Sequence, residues 1–210
     1  MLDAFFDGDT RENMDAWEAD GKILDLVRLE REVLGYDKDT DLADMAQIIN
    51  DHYSFEAYVV DDPSLQQIQK EIDAGHPVVV PAWGRDLRNL HFTPPGPTYH
   101  TVVVSGYDDT SQEFITQEPG TRHGRDFRYA YNDLMGAMAD LLKDSRGLPV
   151  PDGPPRALFV KQARLVKSVG SPKVYLVKNG MRQHVTNEQV FLGSGFKWGE
   201  IEIVSDSYLS

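Results

Sequence analysis

The residue best placed to move a proton is His100. It stands at the mouth of a β-branched run, Thr101-Val102-Val103-Val104, which leads through Ser105-Gly106-Tyr107 to a turn signal at Asp108-Asp109. A second apolar run, Phe114-Ile115-Thr116, follows and passes into Gln117-Glu118-Pro119-Gly120. The two runs read as a β-hairpin. With its turn near Asp109-Thr110, antiparallel pairing sets His100 opposite roughly residue 119, give or take two, so Glu118 becomes its neighbour. An imidazole oriented by a carboxylate or an amide is the base-and-orienter part of nucleophilic catalysis. The same spacing also fits a histidine that opens a strand and a glutamate that ends one.

A base needs a nucleophile to activate. The 210 residues contain no cysteine, which excludes disulfides, thiolate metal sites and a cysteine nucleophile among them. Ser105 lies five residues along the same strand from His100, about 16 Å at strand rise, too far for a dyad. No serine or threonine occurs in Met1 to Asp9. His91, His100 and His123 do not have the spacing of metal ligands, so neither a metal nor another cofactor is expected.

The net charge is -13 and the hydrophobic content 40%, which suits a folded globular chain. The charge is uneven: residues 1–62 carry 18 acidic and 5 basic side chains, residues 156–210 only 4 and 8. An acidic N-terminal third repels nucleic acid and anionic lipid, so neither is an expected partner. No run approaches the ~20 apolar residues of a membrane-spanning helix, and Met1-Leu2-Asp3-Ala4-Phe5-Phe6-Asp7 has neither a basic start nor a cleavage site.

Around the hairpin, periodicity and capping place the supporting elements. Met1 to Phe6 has a helical pattern that stops at Asp7-Gly8-Asp9 without a preceding cap, as if the chain began inside a helix. Two helices in series are expected over Thr10 to Leu34, capped at Thr10 or Asn13, broken at Asp20-Gly21 and striped by Ile23, Leu24, Val27 and Leu34. Asp41 to Tyr53 is a third helix, with Leu42, Met45, Ile48 and Ile49 on one face. Phe55 to Val60 is a strand, and Ser64 caps a helix over Leu65 to Ala74. Val78 to Pro81 is a strand bounded by prolines. Gly84 to Thr98 is a long loop that delivers the chain to His100. Phe127 to Ala130 is a strand, Tyr131 to Leu142 a helix, and Arg156 to Lys161 a last strand of the first domain. From about residue 165 a small α/β module follows. It has an Asn179-Gly180 hairpin, a Thr186-to-Gln189 capping box opening a short helix, and a strand over Ile201 to Val204.

The segments Ala74-Gly75-His76-Pro77-Val78-Val79-Val80-Pro81, Tyr99 to Asp109 and Phe114 to Thr121 together resemble the bacteriocin-processing-type cysteine peptidases, family thirty-nine, and their bacterial "like" domains. The resemblance covers residues 1–163. It implies an α+β, papain-like fold with a Cys nucleophile on an N-terminal helix and a His and an Asp on adjacent antiparallel strands. His100 matches the family's general base. Glu118 occupies the position where the family usually has Asp, one methylene longer, and Gln117 is the alternative orienter. The family's Cys and its oxyanion Gln would fall before residue 1, so a peptidase-like domain lacking its N-terminal part, and inactive as written, is expected. The alternative is a non-catalytic peptide-binding or surface-interaction module. Peptides or proteins are the implied partners and the cell surface or exterior the implied location. Residues 164–210 form the expected small C-terminal module, of which 168–210, with Val174-Tyr175-Leu176-Val177 and Phe196-Lys197-Trp198, are similar to short modules appended to bacterial secreted or surface proteins.

Overall fold

The structure is a computed structural model that describes residues 16–178, 180–194 and 196–209. The helical pattern of Met1 to Phe6, the caps at Thr10 and Asn13, and Asn179 of the Asn-Gly turn lie outside these residues. Helix α1 (Ala16–Val33) leads to α2 (Leu42–His52), which with α3 (Leu65–Asp73) and α4 (Tyr131–Ala137) packs on a sheet of strands β1 (Phe55–Asp61), β2 (Val78–Trp83), β3 (Tyr99–Asp108), β4 (Glu113–Gln117), β5 (Phe127–Ala130) and β6 (Arg156–Gln162). Every neighbouring pair in the order β1-β6-β2-β3-β4-β5 is antiparallel. This is the expected α+β class.

Alternation along the central strands divides the core in two. Val78, Val80, Val102 and Val104 face one side, where Ile68 of α3, Leu87 and Leu134 of α4 cover them. Val79, Val103, Leu158 and Val160 face the other, against Leu42 and Ile49 of α2. Ser64 is the cap the sequence indicates, whereas Asp41 and Tyr53, expected inside their helix, are its two caps. Asp41 accepts from the Asp44 amide at the start of α2, and Ser64 forms a reciprocal capping box with Gln67 at the start of α3.

Several elements depart from expectation. Helix α1 runs unbroken through Gly21, which sits in open space, and its Ile23 and Leu24 are exposed. A single helical glycine costs only about 1 kcal/mol relative to alanine and does not end a helix by itself. Strand β2 continues through Pro81 to Trp83. β6 pairs only with Val78 and Val79, and beyond it the Pro81 carbonyl accepts from the Ala139 amide. That contact also ends α4 five residues early, because Met138 leaves the helix to bridge Ala82 on the edge of β2.

A second, four-stranded sheet has the order β10-β7-β8-β9, with β7 (Arg164–Ser168), β8 (Val174–Lys178), β9 (Met181–Val185) and β10 (Ile201–Val204). Strand β7 was not anticipated; it lies parallel to β10 and antiparallel to β8. Helix α5 (Glu188–Gly193) is capped by Asn187 rather than Thr186. Phe191 and Phe196 pack with Leu165 and Val174 beneath it. The Lys178 ammonium reaches the carbonyls of Ile49 and Tyr53, at 3.4 and 3.0 Å, and that of Asn50, at the C-terminal end of α2. Burial lowers its pKa from the usual lysine value. The negative end of the helix dipole favours the cation there.

Candidate active site

His100 and Glu118 lie on the same face of the hairpin. Val103 pairs with Gln117 and Val104 with Thr116, so one step further Glu118 faces Val102, and His100 is its diagonal neighbour on that face. A bulge at Ser105 shifts the register by one residue between this end and the turn. The imidazole Nε2 is 2.6 Å from Glu118 Oε1. The Glu118 side chain is fully buried and that of His100 is 11% exposed.

The carboxylate is held on all sides. Oε1 also accepts from the Gly120 amide at 2.6 Å, and Oε2 accepts from the Tyr129 hydroxyl at 2.6 Å. Tyr129 in turn accepts from Asn89 Nδ2 at 2.8 Å, and Asn89 Oδ1 accepts from the His91 amide at 2.9 Å. Burial alone would raise the pKa of Glu118. The hydrogen bonds from His100, Tyr129 and Gly120 outweigh it and hold the carboxyl below its ordinary value. The Tyr129 hydroxyl is pushed well above the usual phenol range by burial and by the carboxylate it faces.

An ionised carboxylate only accepts, so the proton shared with Glu118 belongs to Nε2. In the neutral ring Nδ1 then carries the lone pair, and no hydrogen bond occupies it among the described residues. The ring is held from two further sides. Phe92, from the loop before β3, meets it edge to face at 5.2 Å between centroids. Gly120 presses its backbone so close that a Cβ there would lie 2.9 Å from Glu118 Oε1 and 3.0 Å from His100 Cε1.

Gln117 is not brought to His100. Neighbouring strand residues point to opposite faces, and Gln117 donates instead to Ser105 Oγ at 3.3 Å and Asp126 Oδ1 at 2.9 Å. Ser105 shares that opposite face and gives its hydroxyl to the Ile115 carbonyl. The rings of His91 and His123 meet at 4.6 Å, yet no group of three or more metal-ligating side chains assembles among the described residues. A shallow cleft of about 220 Å³ opens behind Tyr129, between Leu87, Leu90, Phe127 and Asp133. Tyr129 lines this cleft and donates its hydroxyl to Glu118.

The sequence reading passed over Tyr129, Asn89, Phe92 and Gly120. Tyr129 had left a signal: it alternates with Phe127 on the inward face of a short strand, and a buried tyrosine hydroxyl needs a polar partner.

A sequence profile of the Peptidase_C39 like family matches residues 27–142, which include His100, Glu118 and both hairpin strands. The chain belongs to the Peptidase_C39 like family. Its helices and antiparallel sheet fit the papain-like α+β fold that the resemblance implied. A crystal structure of a candidate C39-like peptidase from Bacillus anthracis is similar at 17% identity and a TM-score of 0.41, over 59% of this chain and 60% of that one. The match thus spans less than two thirds of that protein. No curated protein matches the chain. No helix among the described residues is long and apolar enough to cross a membrane.

Proposed function

We propose that this peptidase-like domain carries the base and orienter of a thiol-dependent peptide hydrolysis, His100 and Glu118, and that the 210 residues do not hydrolyse peptides by themselves because they lack the thiol. The observation that carries this reading is the 2.6 Å contact from His100 Nε2 to a fully buried carboxylate, with Nδ1 left open. With a thiol supplied from outside these residues, Nδ1 takes its proton and the thiolate adds to the scissile carbonyl carbon. The imidazolium then returns the proton to the departing amine, and water hydrolyses the acyl-thioester. Glu118 keeps the ring in the tautomer this needs and balances the imidazolium. Gln117, turned to the other face, has no part in it.

A second reading is a peptide-binding or surface-interaction module that keeps the scaffold without chemistry. The absence of cysteine favours it, and the complete set of hydrogen bonds around Glu118 disfavours it, since binding alone does not need an oriented base.

Peptide cleavage separates the two. The 210-residue chain is expected to leave peptides intact. A longer gene product that contains a cysteine before Met1 is expected to cleave them and to bind a thiol-directed peptidyl electrophile. His100→Ala in that product should slow cleavage on the order of 10³-fold or more. Cleavage by the 210-residue chain that survives His100→Ala would overturn the assignment.

A further inference from the structure

We infer that Tyr129, itself set by Asn89, is the positioning residue that lets a glutamate orient His100. Glu118 spans a diagonal offset to His100 with a side chain one methylene longer than an aspartate. That methylene also adds a torsion, so a glutamate held only by the imidazole could swing its carboxylate out of the ring plane. Tyr129 removes this freedom by fixing Oε2 while the Gly120 amide and Nε2 share Oε1. Two anchored oxygens leave the carboxylate one orientation.

Asn89 fixes Tyr129 in turn. Its Nδ2 donates to the phenol oxygen, which leaves the phenol proton directed at Glu118 and makes it a stronger donor. Tyr129 is 3% exposed and Asn89 9%, so water does not compete for either bond. The chain Asn89, Tyr129, Glu118, His100 therefore runs from the loop after β2, through β5 and the end of β4, to the start of β3. It ties the loop that carries Phe92 to the ring that Phe92 covers. Tyr129 acts through Glu118 and touches no substrate.

The inference rests on the reading of His100 and Glu118 as base and orienter, but it is tested on the side chains themselves, without any activity. The full 210-residue chain is labelled with ¹⁵N in histidine and ¹³C in the glutamate side chain. His100 tautomer and Glu118 titration are then followed by NMR in the wild type, Tyr129→Phe, Asn89→Ala and Tyr131→Phe. Tyr129→Phe should raise the Glu118 titration midpoint on the order of one pH unit, because the buried charge loses one donor. It should also turn a single Nε2-protonated His100 ring into a mixture of tautomers. Asn89→Ala should shift both in the same direction by less. Tyr131→Phe, which loses a bond to Asp109 away from the site, should shift neither.

An unchanged Glu118 titration and an unchanged ring in Tyr129→Phe overturn the inference. If that variant does not fold, an unchanged Asn89→Ala spectrum overturns it. A wild-type ring protonated at Nδ1 would instead defeat the reading of the pair, whatever Tyr129 does.

Discussion

Tyr129 and His100 hold opposite oxygens of one carboxylate, each at 2.6 Å, and between them they keep Glu118 charged inside the protein. A buried carboxylate without such donors would be neutral at ordinary pH. The site is thus a charge set in place by its hydrogen bonds from His100, Tyr129 and Gly120.

That charge makes stability depend on pH in a definite direction. The folded-state pKa of Glu118 lies below its ordinary 4.5. In the window between the two values the unfolded chain binds more protons, so the contribution is whole above 4.5 and is lost as pH falls through the folded value. Urea midpoints measured from pH 6 down to pH 3 should therefore fall more steeply for the wild type than for Glu118→Gln. Parallel curves would mean that Glu118 is no better stabilised folded than unfolded.

Gly120 is needed for its lack of a side chain. A methyl group there meets Glu118 Oε1 and the Phe92 ring at 2.9 Å and His100 Cε1 at 3.0 Å, all of them fixed by other contacts. Gly120→Ala should cost about 1–3 kcal/mol in chemical denaturation and displace the His100 ring resonances. Gly136→Ala, with nothing within 4 Å, should do neither.

Lys178 joins the C-terminal hairpin to the end of α2. Lys178→Met keeps the length of the side chain and loses the bonds to the carbonyls of Ile49, Asn50 and Tyr53. Amide hydrogen exchange should rise across β8, β9 and the last turn of α2 while β2, β3 and β6 stay protected. Unchanged exchange in α2 would show that the lysine is not what holds the hairpin there.

What the sequence made legible was local. Ser64 announced its helix through a side chain that caps within three residues. The hairpin followed from a β-branched run and a turn, and alternation along it suffices to separate Glu118 from Gln117. The failures were places where distant chain decides. Gly21 looked like a break because nothing in its neighbours says that the helix continues, and α4 stops where Met138 finds the edge of β2. Strand β6, last of its sheet in sequence, inserts between β1 and β2, and no periodicity announces that position. In the site, His100 and Glu118 could be paired from spacing because one hairpin joins them. Asn89 and Tyr129, 40 residues apart, meet only through the completed sheet.

The central claim is that His100 is held as a base with Nδ1 free, and the protonation state of its neutral ring tests it most directly. Long-range ¹H–¹⁵N correlation spectra of the wild-type chain, recorded with the ring neutral, should show the proton on Nε2 and a bare Nδ1, with the preference weakened in Glu118→Gln. A proton on Nδ1, or a tautomer indifferent to Glu118, would contradict the account.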